Sequence, residues 1–193
     1  MGDFWQMIWE QQSTIIVMLT KEEENGRIKC HCYWPDTETR IKQFDNLEGI
    51  TVELISEIDN GVCTLRTIKL TCQETSIKVY QYHFTDWPDH SSSDLQLVLS
   101  LRDLVNIQYR STRNPPPLVL HCSAGVGRTV TYAVIDSVLD ALDSDDNFYT
   151  SQENVIDSHF LALRQQRVYT VQTLDQYLFC YDAILNRVVK CLD

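Results

Sequence analysis

The sequence predicts an α/β protein built on a central, twisted, mixed β-sheet that is flanked by helices. Two observations support this class. Segments rich in β-branched residues alternate with amphipathic segments of helical period along the chain. In addition, the apolar segment 118–121 leads through the glycine-bearing string HCSAGVGRT directly into a further helical pattern. Strand, glycine loop and helix in succession are typical of α/β proteins.

The composition predicts one globular domain over residues 1–193. Of these residues 44% are hydrophobic, which is enough for a substantial core. The formal net charge of −11 argues against nucleic acid as a partner. The longest apolar runs, such as 14–19, are far too short to cross a bilayer, so no membrane insertion is expected.

The seven cysteines form an odd set, and no secretory signal precedes them. This combination predicts reduced thiols and a cytoplasmic location. The tract Cys30-His31-Cys32 is the one metal-like feature, and no second pair follows it at zinc spacing. We therefore expect neither a metal nor another cofactor.

The N-terminal half is predicted to hold one helix, four strands and a tight hairpin. In order, the helix covers 3–12 and the strands cover 14–19, 51–58, 63–71 and 77–84. Phe4, Met7 and Ile8 share one face of the helix, and the last three strands are expected to pair antiparallel. The dipeptide Asn25-Gly26 predicts the hairpin turn.

The C-terminal half is predicted to hold four helices and one strand. The helices cover 94–109, 129–142, 150–166 and 173–190, and the strand covers 118–121. A capping box at Thr150-x-x-Glu153 predicts where the third of these helices starts, and Thr173-x-x-Gln176 predicts the start of the last. Residues 86–93 are predicted to form a loop.

The segment from Cys122 to Arg128 is the main candidate for a functional site. Small residues fill it between a strand and a helix: Ser123, Ala124, Gly125, Val126 and Gly127. Backbone N–H groups of such a loop converge with the helix end on one anion, which predicts a phosphate-binding loop. Arg128 would clamp two phosphate oxygens, and the same field favours a thiolate at Cys122. The alternative is a buried cysteine beside a structural turn.

The whole string HCSAGVGRT resembles the signature loop of the protein tyrosine phosphatases. The resemblance implies that Cys122 attacks phosphorus, that Arg128 binds the phosphoryl group and that the Thr129 hydroxyl assists thiolate release, while His121 tunes the cysteine. It also implies signalling by hydrolysis of phosphotyrosine in partner proteins, through a phosphocysteine intermediate.

The segment Trp87-Pro88-Asp89 resembles the acid loop of that family. A tyrosine phenolate is a poor leaving group unless it is protonated, so the reaction needs a general acid on a mobile loop. Asp89 would protonate the leaving oxygen and then act as base toward the hydrolytic water. The alternative is a simple Pro-Asp turn, and Asp86 is interpreted as an exposed loop acid.

The segment Gln172-Thr173-x-x-Gln176 resembles the family's glutamine loop. Gln172 would orient the hydrolytic water with Gln176 beside it, although Gln176 also fits the role of a helix cap. Arg164 and Arg167 stand at supporting positions or are exposed helix-end cations.

Two residues of the first half complete the expected site. The resemblance implies that Glu24 pairs with the signature arginine and that Lys29 approaches the acid loop. Lys29 begins one of the stretches that match the family, and Glu24 is assigned by the same alignment, which follows nearly all of the chain in order.

The sequence also departs from the family pattern. Val130 replaces a nearly invariant glycine, which is expected to weaken phosphate binding, and His90-Ser91-Ser92-Ser93 replaces a Gly-Val-Pro stretch. The resemblance starts partway into the classical domain, so the segment that walls the pocket is expected to be lacking, as in short polydnavirus phosphatases.

These departures leave a phosphotyrosine-binding pseudophosphatase or decoy, with little or no turnover, as the alternative. A rhodanese-like or arsenate-reducing enzyme is less favoured, because it needs neither Asp89 nor Gln172.

Overall fold

A computed structural model describes residues 1–44, 47, 49–144 and 154–192 of the chain. Five helices and eight strands lie within these residues. The helices are α1 (Gly2–Glu10), α2 (Leu95–Arg110), α3 (Arg128–Ser144), α4 (Val155–Gln166) and α5 (Leu174–Leu192). The strands are β1 (Ile15–Met18), β2 (Glu23–Glu24), β3 (Arg27–Ile28), β4 (Ile41–Lys42), β5 (Ile50–Asp59), β6 (Thr64–Cys72), β7 (Thr75–His83) and β8 (Val119–His121).

Six strands form one mixed sheet in the order β4-β5-β6-β7-β1-β8. Strands β5, β6 and β7 form an antiparallel meander, whereas β1 runs parallel to both β7 and β8. Because these three neighbours run in one direction, their carboxyl ends meet at one edge of the sheet. Open α/β sheets bind their ligands at this edge.

Two hydrophobic cores cover the two faces of the sheet, and β1 together with the residue after it contributes to both. Ile16 and Met18 point into the core beneath α1, and Val17 and Leu19 point into the core beneath the C-terminal helices. All four side chains are fully buried. A strand that is apolar on both faces is typical of parallel strands covered by helices on each side.

The predicted fold class is confirmed, because a central mixed sheet carries helices on both faces. The predicted antiparallel strands are β5, β6 and β7, and the predicted hairpin joins β2 to β3. Asn25 and Gly26 both take positive φ, at 52° and 71°, as a two-residue hairpin turn requires. Among the described residues, no helix combines the length and the apolar character needed to cross a membrane.

Two local predictions are corrected, and one strand was missed. Met7 does not belong to the buried face of α1: it is 38% exposed, since Trp5 and Ile8 form that face. Helix α4 begins at Val155, where the Asn154 side chain accepts the Asp157 N–H, whereas the proposed capping box at residues 150–153 lies outside the described residues. Strand β4 was not predicted, because two residues are too few to show periodicity.

Candidate active site

The candidate site is the loop of residues 122–127 between β8 and α3, the anion loop, at the carboxyl edge of the sheet. Gly125 takes φ +70°, a left-handed conformation that favours glycine, and its N–H donates to Sγ of Cys122 at 3.3 Å. Within the part of the chain that the structure describes, the other loop amides donate no hydrogen bond to protein atoms. They belong to Ser123, Ala124, Val126 and Gly127. Free amides just before a helix N-terminus are suited to an anion.

Cys122 follows β8 directly and is 6% exposed. It lies at a cavity of about 390 Å³ whose lining includes the basic side chains of Lys29, His31 and Arg167. The ring of Phe4 lines the same cavity. Anionic and aromatic groups can therefore both be accommodated beside the thiol. The described residues contain no group of three or more His, Cys, Asp or Glu side chains able to hold a metal ion.

Arg128, the first residue of α3, is 1% exposed and is held from several sides. Its Nη1 donates to Oε1 of Glu24 at 2.6 Å and to the carbonyl oxygen of Trp87 at 2.8 Å. Its Nη2 donates to Oγ1 of Thr20 at 3.1 Å and lies 3.3 Å from Oδ1 of Asp89. Its buried Nε has no hydrogen-bond partner among the described residues. An unpaired buried donor is costly, so this Nε is the group best placed to gain from a bound anion.

Glu24 orients the guanidinium from the β2–β3 hairpin. Its Oε1 also accepts a hydrogen bond from the Thr20 hydroxyl at 3.0 Å. Burial raises the pKa of Glu24, but the hydrogen bond and charge of Arg128 outweigh this effect and hold the pKa below its ordinary value. Glu24 is therefore a carboxylate that holds Nη1 of Arg128 in place.

Asp89 reaches the site from the loop after β7. Its Oδ2 accepts a hydrogen bond from Lys29 Nζ and lies 3.7 Å from Nε2 of His90. Burial raises the pKa of Asp89, but the Lys29 hydrogen bond and the charges of Arg128, His90 and Lys29 lower it below the ordinary value. The carboxyl group thus lies beside the arginine of the anion loop, in its ionised form.

The acid loop is anchored by Trp87, which is 1% exposed. Its indole Nε1 donates to the carbonyl oxygen of Ser91 at 3.0 Å, and its ring meets Phe179 edge-on at 5.4 Å. Together with the hydrogen bond that the Trp87 carbonyl oxygen accepts from Arg128, these contacts hold the loop over the site. By contrast, the Asp86 side chain is exposed, as expected from the sequence.

The side chain of His121 contacts the backbone of Cys122. Its Nδ1 lies 3.1 Å from the Cys122 carbonyl oxygen, and its Nε2 lies 2.8 Å from the Tyr33 hydroxyl. Burial lowers the pKa of His121, although the hydrogen bond to Cys122 opposes this, so the ring is neutral near pH 7. The hydroxyl of Thr129 is buried and has no hydrogen-bond partner among the described residues.

Gln172 and Gln176 pack against the anion loop at Gly127. A Cβ atom at Gly127 would lie 2.8 Å from Oε1 of Gln172 and 3.1 Å from Nε2 of Gln176. Glycine at this position therefore lets both side chains lie close against the loop. Gln176 lies beside Gln172, whose N–H donates to its Oε1 at 2.9 Å, and its own N–H donates to Thr173 Oγ1 at 3.2 Å, as at a capped helix start. Its part in orienting the water stays a prediction.

The backbone just before Gln172 is unusual. Val171 takes φ +52°, which is rare for a β-branched residue, and its N–H donates to the Val126 carbonyl oxygen at 2.9 Å. This bond joins the glutamine loop to the anion loop. Strained backbone held by its surroundings is common at functional sites.

The two arginines before this loop differ in position. Nη2 of Arg167 donates to the Ala124 carbonyl oxygen at 3.4 Å and lies close to Gly125. Arg164 is exposed and its guanidinium lies over the Phe160 ring at 5.5 Å. Of the two, Arg167 is the one that contacts the anion loop.

Val130 is 6% exposed and packs in the core, and its expected effect on phosphate binding stays a prediction.

Four buried polar residues beneath the site were missed at the level of sequence. They are Thr20, Arg66, Gln81 and His83. Polar residues at inward-facing positions of apolar strands were the available signal. Their partners are distant in the chain, however, so the pattern alone did not show what they bind.

The fold and the site together define an α/β protein whose cysteine-bearing anion loop is joined by an acid loop and a glutamine loop. Residues 1–186 match the family model of the protein-tyrosine phosphatases, and the chain belongs to that family. It is 41% identical over 194 residues to receptor-type tyrosine-protein phosphatase S of Gallus gallus. It is also 39% identical over 195 residues to tyrosine-protein phosphatase 99A of Drosophila melanogaster, and 38% identical over 191 residues to receptor-type tyrosine-protein phosphatase eta of Homo sapiens.

These alignments cover 96–97% of this chain but only 12–14% of the three relatives. The chain therefore corresponds to a small part of the length of each curated relative. The resemblance to polydnavirus members stays a prediction.

Proposed function

We propose that this chain hydrolyses phosphotyrosine in proteins through a phosphocysteine intermediate at Cys122. One observation carries the proposal: the buried Arg128 lies between a cysteine-bearing loop of free amides and the carboxyl group of Asp89. Membership of the family and the names of the relatives support the reaction class. The predicted cytoplasmic location and signalling role form part of the same proposal.

In the first step the loop amides and Arg128 hold the phosphoryl group. The thiolate of Cys122 attacks phosphorus, so that an S–P bond forms while the bond from phosphorus to the tyrosine oxygen breaks. Asp89 gives its proton to that oxygen. A phosphoryl dianion shares the Arg128 guanidinium with Asp89. The negative charge of the dianion raises the pKa of the Asp89 carboxyl group and so favours the protonated form that this step needs.

In the second step a water molecule replaces the thiolate at phosphorus. Asp89, now ionised, takes the proton of the water, whose oxygen attacks phosphorus while the S–P bond breaks. Gln172 orients the water, since its side chain lies against the loop at Gly127. The Thr129 hydroxyl, which has no partner within the part of the chain that the structure describes, is available to donate a hydrogen bond to the departing thiolate.

The test compares hydrolysis of an aryl phosphate and binding of a phosphotyrosine peptide in four variants. Cys122→Ser abolishes turnover and retains binding, whereas Arg128→Ala impairs both. Asp89→Ala slows turnover by about a hundred- to ten-thousand-fold and spares binding. Asp86→Ala is the matched control, because it removes an exposed carboxylate three residues away.

The same experiment separates the enzyme from a phosphotyrosine-binding decoy. A parent chain that binds the peptide but shows no turnover sensitive to Cys122→Ser is a binding module, and the proposed mechanism is then wrong. In that case Val130→Gly tests whether the substituted glycine accounts for the loss.

A further inference from the structure

A buried arginine lies in the sheet behind the anion loop. Arg66 belongs to β6 and is 8% exposed, with its guanidinium over the Trp34 ring at 4.4 Å. Its Nε pairs with the Glu57 carboxylate. Its Nη1 makes two further contacts, at 3.1 Å each, to Oε1 of Gln81 and Nδ1 of His83. An arginine can only donate, so it fixes the direction of both hydrogen bonds.

The first branch leads to Cys122, the proposed nucleophile. Gln81, whose Oε1 accepts from Arg66, donates its Nε2–H to the Tyr33 hydroxyl oxygen at 2.7 Å. The hydroxyl proton is then directed to Nε2 of His121, 2.8 Å away. Because that nitrogen accepts, the neutral ring carries its proton on Nδ1 and donates it to the Cys122 carbonyl oxygen at 3.1 Å.

The second branch leads to Thr20 and Arg128. Because Nδ1 of His83 accepts from Arg66, its Nε2–H donates to the Thr20 carbonyl oxygen at 2.8 Å. Burial lowers the pKa of His83 to about 4, so this ring is also neutral near pH 7. The hydroxyl of the same threonine accepts from Nη2 of Arg128 at 3.1 Å.

We propose that Arg66 is a positioning residue of the site, which acts through two hydrogen-bond relays that end on the backbone carbonyls of Cys122 and Thr20. The inference deepens the proposed function and rests on it for the role of the thiolate. Hydrogen bonds in a chain polarise one another, so the buried charge strengthens every donor along each relay. The first relay withdraws electron density from the Cys122 peptide and favours the thiolate, and the second holds Thr20 against Arg128.

The decisive experiment measures the pH profile of iodoacetate labelling at Cys122, read by peptide mass spectrometry. Arg66→Met moves the midpoint upward by about one pH unit, which slows labelling about tenfold at a pH below the parent midpoint. The matched control is Arg102→Met. Arg102 is also a buried arginine, 2% exposed, but it pairs with Asp136 and Asp143 of α3. A loss of stability alone therefore affects both variants, while only the first shifts the profile.

Single-branch variants separate the two relays. Gln81→Leu shifts the Cys122 profile in the same direction as Arg66→Met. His83→Leu leaves the profile in place but weakens protection of Cys122 by inorganic phosphate, and His83→Gln restores protection because its amide N–H can replace the ring N–H. If Arg66→Met does not fold, Gln81→Leu decides the first relay.

Two outcomes overturn the inference. One is a midpoint in Arg66→Met, or in Gln81→Leu if it has to stand in, no different from that of Arg102→Met. The other is full phosphate protection in His83→Leu. Labelling needs no turnover, so absence of aryl phosphate hydrolysis in the parent chain contradicts the proposed function without producing either of these results.

Discussion

Arg128 and Glu24 are 104 positions apart in the chain, yet Nη1 and Oε1 lie 2.6 Å apart and their side chains are 1% and 10% exposed. The pair joins the start of α3 to the β2–β3 hairpin. With Nη1 held by Glu24, and Nη2 shared between Thr20 and Asp89, the guanidinium plane is fixed before any anion arrives. Such preorganisation lowers the ordering cost of binding.

Glu24→Gln is expected to destabilise the fold, because it removes the nearer of the two carboxylates that face the buried Arg128 charge, at 2.6 Å against 3.3 Å for Asp89. The free energy of unfolding at pH 7 should fall by about 3 kcal/mol. Urea denaturation measures it, with Glu23→Gln as the control, since Glu23 is the exposed neighbour. Equal stabilities for the two variants would show that the pair does not stabilise the fold.

Iodoacetate at mildly acidic pH should label Cys122 before the other cysteines. Burial raises the pKa of Cys63 to about 11 and that of Cys180 to about 12, so both remain unreactive thiols. Burial also raises the pKa values of Cys30 and Cys32. Inorganic phosphate or vanadate should protect Cys122, and uniform labelling of all cysteines would argue against an anion loop.

Lys29→Met should move the alkaline limb of the kcat/KM profile to higher pH. The first step of the proposed mechanism needs Asp89 protonated, and the Lys29 hydrogen bond helps to hold the pKa of Asp89 below its ordinary value. Removing that bond raises the pKa, so activity persists to a pH about one unit higher. Lys78→Met, which removes an exposed lysine, is the control and should leave the limb in place.

His83 should make the fold sensitive to acid. Its pKa is lowered from 6.5 to about 4 by burial, so the unfolded chain binds a proton first as the pH falls. Stability is complete above about pH 6.5 and declines by about 3 kcal/mol on the way to pH 4. His83→Gln should reduce this loss in denaturation curves at pH 7 and pH 4.5. His31→Gln, at an exposed position, should not.

Gly127→Ala should slow turnover by displacing the glutamine side chains. The added Cβ atom would meet Gln172 Oε1 at 2.8 Å, so that side chain must leave its place beside the loop. A double variant with Gln172→Ala tests the cause. If displacement of Gln172 is the defect, the double variant is no slower in aryl phosphate hydrolysis than Gln172→Ala alone. Additive losses would mean that the alanine distorts the anion loop itself.

The sequence predicted the features that depend on local pattern. The content of β-branched residues predicted the strands of the meander. The dipeptide Asn25-Gly26 predicted the hairpin, and Thr173 predicted the start of α5. The start of α4 was predicted at residue 150, because Thr150-x-x-Glu153 matches a capping box more closely than Asn154, the observed cap. Boundaries depend on the competition between neighbouring caps, which sequence alone does not rank.

The candidate site divides in the same way. The residues of the anion, acid and glutamine loops were named because each belongs to a short motif. Arg66, Gln81 and His83 belong to no motif, and their contacts join residues 15 to 17 positions apart in neighbouring strands. Strand register creates these contacts, and register becomes visible only in the folded sheet.

The position of β1 affects how the molecule assembles. The meander of β5, β6 and β7 pairs neighbours in sequence, whereas Ile15 of β1 pairs with Tyr80, and Ile16 pairs with Val119. Closing such distant pairs costs chain entropy before any contact is gained, so we expect the meander to form early and β1 to dock late. A nascent chain that has not yet reached β8 leaves one side of β1 without a neighbour. We therefore expect Cys122, which follows β8 directly, to reach its final surroundings late in folding.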